Sequence, residues 1–478
     1  MCDDLGYSDL GCYGAEFIQT PNLDQLAGQG MRFTQFYNNG KCNTTRVSLM
    51  TGLYPRRKMP LLKPDMVTIA DVLKSHGYQT YMTGKWHLNK GVDKNFWPTN
   101  HGFDHQYVWL EGAGNYYDPG YPAPSYKGST TKTVMLDDEQ IKEFPKDFYV
   151  TDAITDYAVR MINASSKSES PFFFYIAYTA PHYPIQARPE DIAKYKNKFN
   201  QGWDVLRQKR YGNQIKLGII DQKTKLSVRD QLSEPWRDTA TPVWQKRRME
   251  VHAAMVDRMD RGIGKIVETL EKLGKKENTL ILFLSDNGAT GEDFEGNRPD
   301  VMPGPKESYQ TVGPPWGNAC NTPFKRYKTW MHEGGISTPM IAHWPRVIKA
   351  NSISRVVGHI NDILPTCLEI AGGKYPSRFN GHDILPNEGI SLLPIYQGRK
   401  RSPHEYLFFE YRANRAVRFG SMKLVWDHTT RNWELYNIKD DRTEMINLAG
   451  QHPELVDQLS MRWIDWARKT NVPKKSLK

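Results

Sequence analysis

Apolar residues along the chain fall into two alternating patterns. Short continuous runs, bounded by polar and turn residues, are typical of strands buried inside a sheet. Longer stretches with apolar residues three and four apart are typical of helices that pack on such a sheet. Their alternation predicts an α/β fold with a large, mostly parallel sheet flanked by helices. The predicted strands are residues 79–82, 172–178, 279–284 and 340–344, and the predicted helices are residues 68–76, 151–163 and 243–273.

Two of the predicted helices carry further local signals. Thr68 and Asp71 have the spacing of a capping box at a helix start, and Gly77 stands just past the predicted end. In the helix at residues 243–273, apolar residues recur with the period of one helix face. This period indicates a face packed in the core.

The pattern changes after residue 397, where short strands replace the βα units. The change predicts a catalytic domain at residues 1–397 and a smaller domain at residues 398–478, built as an antiparallel sheet with one helix. A stretch rich in Gly, Pro and Asn, residues 290–322, predicts a long ordered loop near the functional site. The short strands are predicted at residues 406–411, 416–419, 423–426 and 433–436, and the last helix at residues 454–469.

Composition limits what the chain can be. Its 478 residues are 39% hydrophobic and 24% charged, which is typical of a globular enzyme with a substantial core. No apolar run approaches the roughly 18 residues of a membrane-spanning helix, so no membrane span is predicted, and no signal peptide is visible in the chain. The formal charge of +11 favours anionic partners, but nucleic acid is not predicted because no binding motif accompanies the charge.

The cysteine pattern argues against two common kinds of site. The five cysteines lie far apart, their number is odd, and none forms a CxxC pair. Neither a disulfide scaffold nor a zinc ribbon is therefore predicted, and at least one thiol is left over. The five are Cys2, Cys12, Cys42, Cys320 and Cys367.

Polar residues directly follow several apolar runs, at the positions where open α/β sheets bind their ligands. If these strands belong to one sheet, the polar side chains crowd one edge of it. They are Asp3 and Asp4 after a first strand, Lys85 and His87 after residues 79–82, His182 after residues 172–178, and Asp286 and Asn287 after residues 279–284.

The oxygen ligands in this set predict a hard divalent cation. Three carboxylates and one amide suit Ca²⁺ or Mg²⁺, and no Cys or His pair has the spacing of a zinc site. Asp-Asp and Asp-Asn-Gly are also common turn sequences, and each alone is more simply interpreted as a turn. Their joint position after strands favours the metal site.

Cys42 lies in a polar segment, Lys-Cys-Asn-Thr-Thr-Arg, directly before a predicted helix start. An isolated cysteine is usually a small core residue, but the polar neighbours argue against that interpretation. The helix N-terminus and Arg46 both favour the thiolate and hence nucleophilic chemistry. Spacing alone leaves the reaction open.

These segments together resemble the motifs of type I, formylglycine-dependent sulfatases of the alkaline phosphatase superfamily. The segment Cys-Asn-Thr-Thr-Arg with Thr51-Gly52 beyond it is similar to the family signature. The resemblance covers essentially the whole chain, with the other motifs in family order. They are Asp3-Asp4-Leu5-Gly6-Tyr7, Gly84-Lys85-Trp86-His87, Ala180-Pro181-His182, Ser285-Asp286-Asn287-Gly288 and Lys328 before Glu333-Gly334-Gly335.

The resemblance implies an alkaline phosphatase-like fold, a sulfuric ester hydrolase activity and a bound Ca²⁺, with Mg²⁺ as the weaker choice. It implies that a formylglycine-generating or sulfatase-maturating enzyme oxidises Cys42 to formylglycine, whose hydrated aldehyde attacks the sulfur of the substrate. The implied metal ligands are Asp3, Asp4, Cys42, Asp286 and Asn287, and the implied catalytic residues are Cys42, Arg46, Lys85, His87, His182, Asp286 and Lys328.

The resemblance also suggests acid and base roles and a compartment. Asp286 would help to deprotonate the nucleophile, and His87 would accept the proton when the sulfated adduct breaks down. His182 and Lys328 are both candidates for protonating the departing alcohol oxygen. The resemblance implies a periplasmic or extracellular location.

Two departures from the family pattern stand out. Thr44 occupies a position where the family usually has Pro or Ala, which predicts incomplete conversion of Cys42 in a foreign host. Most of the family's first strand is also missing before Asp3.

Other readings stay open at the level of sequence. A phosphodiesterase or phosphonate monoester hydrolase of the same superfamily is the nearest alternative, and a noncatalytic binder of sulfated glycans is the other. Family resemblance favours a sulfated saccharide as substrate, without identifying the sugar or the ring position. Candidate subsite residues, each more often structural or solvated than functional, are Tyr116, Trp203, Tyr211, Arg298, Trp316 and His332.

Overall fold

The computed structural model describes residues 1–55, 62–88, 91, 93–112, 114–294 and 297–472. Strands and helices alternate through most of this chain. The strands are β1 (Met31–Tyr37), β2 (Gln79–Lys85), β3 (His105–Trp109), β4 (Val134–Leu136), β5 (Glu139–Ile141), β6 (Phe172–Ala177), β7 (Ile281–Leu284), β8 (Ser337–His343), β9 (Ser352–Ser354), β10 (Gly358–His359), β11 (Arg378–Phe379), β12 (His382–Asp383), β13 (Tyr406–Tyr411), β14 (Asn414–Phe419), β15 (Met422–Asp427) and β16 (Asn432–Asn437). The helices are α1 (Pro21–Gly28), α2 (Cys42–Thr51), α3 (Ile69–Lys74), α4 (Val150–Ser165), α5 (Pro189–Ala193), α6 (Gly202–Lys216), α7 (Pro242–Lys272), α8 (Gly313–Cys320), α9 (Glu333–Ile336), α10 (Ile363–Ile370), α11 (Leu393–Tyr396) and α12 (Pro453–Lys469).

Residues 1–3 join two groups of strands into one large sheet. One group has the order β5-β4-β3-β2-β6, and the other has β7, β8 and β1, with β9 and β10 both beside β1. Met1 lies against β6, where its ammonium donates to the carbonyl of Ile176 (2.9 Å). Cys2 pairs in parallel with Ser285, just beyond β7. The residues that follow Cys2 therefore emerge at the middle of the sheet.

The predicted α/β class is confirmed, although the sheet is less parallel than the apolar pattern predicts. β3, β2 and β6 run parallel, as do β1, β9 and β10. β8 is antiparallel to both of its neighbours, and β4 and β5 form an antiparallel hairpin beside β3. A continuous apolar run indicates burial on both faces, and central strands of either direction can be buried in this way.

The local capping signal placed the start of α3 correctly. The Thr68 hydroxyl accepts from the backbone N–H of Asp71 (3.1 Å), and the Asp71 carboxylate accepts from the N–H of Thr68 (3.0 Å), which completes the capping box of α3. β2 extends beyond residues 79–82, so that Lys85 is its last residue. Helix α8 lies inside the stretch predicted as a loop, residues 290–322. Its prolines are typical of loops in a sequence, but prolines are also tolerated in the first turn of a helix.

Helices cover both faces of the large sheet. α4 and α7 pack together on one face, with Ile154 and Met259 in the core beneath them. α2, α3 and α10 cover the other face, with Met50 and Leu364 in the core. Polar side chains therefore collect at the strand ends. None of the helices in the described ranges is both long enough and apolar enough to cross a membrane.

A cavity of about 750 Å³ lies between β6 and β7, and Met1 is one of its lining residues. Its walls are largely apolar and include Phe174, Ile266 and Leu282. Pro171 and Asn278 also line it, so the cavity lies toward the amino ends of these strands. It is therefore distinct from the polar carboxyl ends.

The predicted smaller antiparallel sheet with a terminal helix is confirmed. β13 to β16 pair in sequence order, and each pair is antiparallel. One face of this sheet packs on α12 through residues that include Leu459 and Trp463. The other face packs on Tyr37, Met331 and Ile336. The second sheet therefore braces the segment that leads from Lys328 into β8.

Candidate active site

Polar side chains converge at the carboxyl ends of the central strands. Lys85 ends β2, His182 follows β6, and Asp286 and Asn287 follow β7. Asp3 follows the short segment that lies between β6 and β7. Because these strands are parallel, their carboxyl ends share one edge of the sheet. Residues from distant parts of the chain are thus brought together where ligands bind in such folds.

Asp3, Asp4, Asp286 and Asn287 share one buried volume. Asp4 has φ 65°, in the left-handed region, which turns the chain directly after Asp3. The N–H of Asp4 donates to Oδ1 of Asp286 (3.3 Å), and Nδ2 of Asn287 donates to Oδ1 of Asp4 (2.6 Å). None of the four is more than 1% exposed. Three carboxylates and an amide therefore meet away from bulk water.

Helix α2 places Cys42 at the edge of this volume. Cys42 is its first residue, and the hydroxyl of Thr44 donates to the carbonyl of Lys41 (2.8 Å) across the first turn. The Cys42 sulfur, an oxygen of Asp3 and an oxygen of Asp286 all lie within 4.8 Å of one another. A helix N-terminus favours negative charge, so this position suits an anionic or oxygen-bearing side chain.

Arg46 and Lys85 each contact one of the carboxylates. Arg46 donates from Nε and Nη2 to Oδ2 of Asp286 (3.2 and 2.8 Å) and from Nη1 to the backbone carbonyl of Lys85 (2.8 Å). The Lys85 ammonium donates to Oδ2 of Asp3. All of these side chains are fully buried, so their charges interact strongly.

Lys328 reaches the same place from the segment between α8 and α9. Its Nζ lies 2.7 Å from Oδ1 and 2.8 Å from Oδ2 of Asp4. Glu292, which the sequence analysis did not single out, lies close enough that Lys328 and Lys41 lower its pKa despite burial. Glu292 also accepts from Nζ of Lys41 (3.2 Å). Its position in the loop predicted near the site is the one signal that could have identified it. We call Asp3, Asp4, Cys42, Arg46, Lys85, Asp286, Asn287 and Lys328 the catalytic cluster.

The carboxyl groups of Asp3 and Asp286 have opposite pKa shifts. Burial would raise the pKa of Asp3, but the ammonium of Lys85 and other nearby cations hold it well below its usual range. Burial, reinforced by the negative charge of Asp3, raises the pKa of Asp286 well above its usual value. A further positive charge between them would offset their mutual repulsion and favour the ionised form of Asp286.

The oxygens of the catalytic cluster fit a divalent cation. Within the described residues, Asp3 Oδ1 and Asn287 Oδ1 are buried and have no hydrogen-bond donor. Nδ2 of Asn287 donates to Asp4 and to the carbonyl of Gly288 (2.9 Å), which fixes the amide and leaves its oxygen for another partner. Buried acceptors without donors are rare and costly. An all-oxygen donor set of this kind suits Ca²⁺ or Mg²⁺.

Two histidines flank the cluster. Burial, together with the positive charges of Lys85 and Arg46, lowers the pKa of His87 well below its usual value, and His87 Nδ1 has no partner among the described residues. His182 Nδ1 donates to the carbonyl of Tyr183 (2.5 Å), and its Nε2 lies 3.6 Å from Oδ2 of Asp4. Burial lowers the pKa of His182 to about 3. Burial therefore disfavours the charged form of both imidazoles.

Four of the six candidate subsite residues are buried, which favours the structural interpretation of these four over a subsite role. Trp203 and Trp316 stack edge to face in the core, with ring centroids 5.4 Å apart. Tyr116 donates to the backbone carbonyls of Thr179 and His182, and His332 faces Glu434 (2.8 Å). Aromatic and basic side chains occur in cores as well as in sugar sites, and the sequence did not separate the two. Tyr211 is half-buried, and Arg298 is exposed and pairs with Asp300.

The sulfatase family model matches residues 1–373. This chain belongs to the sulfatase family. A second model, for the C-terminal part of N-sulphoglucosamine sulphohydrolase, matches residues 325–468 of the sulfatase. The two matches together span both the large sheet and the smaller one.

Similar proteins support this assignment. An arylsulfatase of Klebsiella aerogenes is 33% identical over 84% of this sulfatase and 92% of its own chain. The N-acetylgalactosamine-6-sulfatase of Rattus norvegicus is 28% identical over 94% of this chain and 75% of its own. The crystal structure of Ps i-CgsB in complex with k-i-k-neocarrahexaose is 26% identical and covers 100% of this chain and 98% of its own, with a TM-score of 0.72. The protein is thus a sulfuric ester hydrolase with the alkaline phosphatase-like fold.

Proposed function

We propose that this sulfatase removes sulfate from a sulfated carbohydrate, with Ca²⁺ and a formylglycine made from Cys42. The observation that carries the proposal is the catalytic cluster, in which buried oxygens of Asp3 and Asn287 without a donor among the described residues lie in the same cluster as Cys42 and three cationic side chains. A sugar substrate is supported by the relatives, because one is named for N-acetylgalactosamine-6-sulfate ester cleavage and one similar structure holds a neocarrahexaose.

Asp3, Asp4, Asp286 and Asn287 would hold the cation, with residue 42 as a further ligand. Bound Ca²⁺ supplies a Lewis acid that offsets negative charge on a sulfuryl oxygen. Formylglycine supplies the nucleophilic hydroxyl that a cysteine thiol lacks. Magnesium is the weaker choice because its strict octahedral geometry tolerates fewer protein ligands.

The cationic side chains would stabilise the charge that develops during sulfate transfer. Arg46, Lys85 and Lys328 are fixed by ion pairs with the cluster carboxylates, so they need no reorganisation during the reaction. Such preorganised charge in a dry site is often the largest contribution to catalysis. The same three side chains would also select a tetrahedral anion over a neutral group.

Proton transfers would fall to the remaining groups. Asp286 lies within reach of residue 42 and would help to deprotonate the nucleophile. His87, with its free Nδ1, would accept the proton released when the sulfated adduct breaks down. His182 and Lys328 approach Asp4 from two sides, and either would protonate the departing sugar oxygen.

Three further parts of the proposal concern the protein's context. Residues 1–397 would form the catalytic domain and residues 398–478 a supporting subdomain. A formylglycine-generating or sulfatase-maturating enzyme would be the partner that modifies Cys42. A periplasmic or extracellular location fits an enzyme that meets polymeric sulfated sugars.

Sulfate release from defined sulfated oligosaccharides tests the proposal. Protein with an aldehyde at residue 42, established by peptide mass spectrometry, should release sulfate, and Cys42→Ala protein should release none. Comparable or faster turnover of matched phosphate diesters would favour the phosphodiesterase alternative. Tight glycan binding with no turnover by fully modified protein would favour the noncatalytic binder. Active protein that carries only a thiol at Cys42 would contradict the proposed nucleophile.

A further inference from the structure

A second cavity, of about 240 Å³, opens beside the catalytic cluster. Residues within 114–132, which follow β3, form one wall, and residues 306–309 form the other. Tyr121, Tyr309 and Lys132 are among the lining side chains. The cavity therefore combines aromatic surface with a cation, a combination that suits a charged sugar.

Backbone hydrogen bonds hold this cavity in shape. Nδ2 of Asn115 donates to the carbonyl of Lys306 (2.7 Å), which ties the two walls together. Within the first wall, the N–H of Ala123 donates to Thr130 (2.9 Å), and the N–H of Lys132 donates to the carbonyl of residue 119 (3.0 Å). A ligand would therefore enter a preformed site and would not have to order the loops.

The cavity and the catalytic cluster share neighbouring residues. Gly112, in the loop that leads to the cavity, lies beside His87: a Cβ placed on it would be 3.5 Å from Cε1 of that ring. On the other side, Tyr309 contacts Tyr183 (ring centroids 6.2 Å apart), which packs on His182 (4.2 Å). One face of a small oligosaccharide would thus contact the cavity and the catalytic cluster at the same time.

Lys132 is an unpaired cation in this cavity. Lys306, the other lysine in the lining, is neutralised by Oδ2 of Asp118 (2.8 Å). Two carboxylates lie nearby: Glu111 uses its two oxygens to accept from the N–H (2.8 Å) and the hydroxyl (2.9 Å) of Thr133, and Glu307, in the cavity lining, is exposed. Among the described residues, Lys132 Nζ has neither an ion pair nor a hydrogen bond.

The surroundings of Lys132 favour an anionic ligand. Its stem passes over Gly114, where an added Cβ would be 2.5 Å from its Cγ. Burial lowers the pKa of Lys132; the negative charge of Glu111 offsets part of this shift and the positive charge of Lys85 adds to it, so the ammonium is partly desolvated. A partly desolvated cation binds an incoming anion more strongly than a fully hydrated one.

We propose that Lys132, with Tyr121 and Tyr309, forms a subsite for a second anionic group on the sugar substrate, while the scissile sulfate lies in the catalytic cluster. The second group is a sulfate ester or a uronate carboxylate, which share the chemistry that Lys132 recognises. This inference rests on the proposed carbohydrate activity. It narrows the substrate class from sulfated sugars to polyanionic ones.

The test compares Lys132→Gln with wild type on three substrates. These are a nitrophenyl sulfate, a neutral disaccharide with one sulfate, and the same disaccharide with a second anionic group. For the third substrate kcat/KM should fall about 10-fold to 100-fold, mainly through KM, the effect of losing one charged hydrogen bond. The other two substrates should be unaffected. Separate versions with an added sulfate and an added uronate show which anion is recognised.

Matched variants exclude simpler explanations. Lys132→Arg keeps the charge and should retain most of the preference for the third substrate. Exposed Lys349, which follows β8 at the opposite edge of the sheet, provides Lys349→Gln as a control for net charge. Equal losses by Lys132→Gln on all three substrates, or an equal loss from Lys349→Gln on the third, would overturn the subsite.

A binding measurement separates this inference from the proposed function. Calorimetry on the Cys42→Ala protein, with and without Lys132→Gln, measures affinity for the doubly anionic disaccharide without turnover. A dissociation constant that rises about 10-fold or more supports the subsite even if wild type hydrolyses no sugar sulfate. Unchanged affinity contradicts it even if sugar sulfates are good substrates.

Discussion

Two buried clusters each combine an aspartate from the start of the chain with an arginine and a cysteine. They differ in whether the oxygen atoms of their acidic and amide side chains all have hydrogen-bond donors. The Asp9 cluster comprises Asp9, Arg210, His252 and Cys320, and its acid, imidazole and sulfur atoms are close enough to share a metal. Oδ1 of Asp9 accepts from Arg210 (2.6 Å), and its Oδ2 accepts from the N–H of Gly6 (3.0 Å) and lies 3.1 Å from Nε2 of His252. In the catalytic cluster, Asp3 and Asn287 each keep an oxygen without a donor among the described residues.

This difference shows that ligand type and burial do not by themselves indicate a metal site. In the Asp9 cluster the protein supplies every partner that the carboxylate needs. The cluster therefore fixes the segment that carries Asp3 and Asp4, through the hydrogen bond that the N–H of Gly6 donates to Asp9. In the catalytic cluster the oxygens still need a partner, and the proposed cation would provide one.

Removal of calcium should give the largest contrast between the clusters. Chelation should reduce turnover of matured enzyme to background, and added calcium should restore it. Calcium at about 100 times its Kd should stabilise the fold by about 2.7 kcal/mol, measured as a rise in Tm. Asp3→Asn should lose this rise, whereas Asp9→Asn should keep it from a lower starting Tm. Full activity in metal-stripped wild type, or restoration by zinc alone, would remove the proposed calcium site.

The two clusters should also differ in their dependence on cysteine. Cys42→Ala should reduce sulfate release to background because no nucleophilic hydroxyl forms at residue 42. Cys320→Ala, in the Asp9 cluster, should keep kcat/KM and lose stability only, by about 1 to 3 kcal/mol for a buried side-chain truncation. Sulfate release and urea unfolding measure the two effects. Comparable activity losses in both variants would mean that the Asp9 cluster takes part in the reaction.

Lys328→Ala should affect substrates according to their leaving group. A sugar alkoxide needs protonation or cationic stabilisation, which is worth roughly 10² to 10⁴ in rate, whereas a nitrophenolate needs much less. The loss in kcat/KM should therefore be far larger on a sugar sulfate than on a nitrophenyl sulfate. Equal losses would indicate that Lys328 only attracts the sulfate group, and His182 would then be the better candidate for the acid.

The smallest effect should come from acid titration of the Asp9 cluster. Burial would raise the pKa of Asp9, but Arg210 and His252 lower it to about 2 from an ordinary value of 3.8. The depressed folded-state pKa adds stability that is present above about pH 4 and is lost as the pH falls toward about 2. The wild type should therefore lose about 2 kcal/mol relative to Asp9→Asn over the complete titration. Urea unfolding of both proteins below about pH 5 measures this, and a pH-independent difference would contradict it.

The sequence predicted those features that depend on neighbouring residues or on strand ends. The capping box of Thr68 and Asp71 is local, and it formed as the spacing predicts. The position of Asp286 directly after a strand identified the edge of the sheet where the polar residues meet. Helix α8 was missed because its Gly and Pro residues are equally typical of loops.

Features that depend on contacts between distant segments were beyond the sequence. Trp203 and Trp316 are of a residue type that is common in sugar-binding sites, yet both are buried in the core. Lys132 was not singled out because its lack of a hydrogen-bond partner depends on two contacts between other residues. Asp118 pairs with Lys306, and Glu111 accepts from Thr133. The sequence also could not indicate which oxygens of the catalytic cluster lack donors, since those donors lie far along the chain.

The burial of Cys42 has a consequence for the timing of synthesis. In the folded protein this side chain is 1% exposed, so a modifying enzyme could not reach it. The charges that enclose it arrive late, because Arg46 pairs with Asp286, 240 residues downstream. Ribosomes add about 5 to 20 residues per second, so that interval lasts roughly 12 to 48 seconds. If Cys42 becomes formylglycine as proposed, the oxidation has to occur before the chain folds around this residue, and codon usage downstream of Cys42 would influence how long that interval lasts.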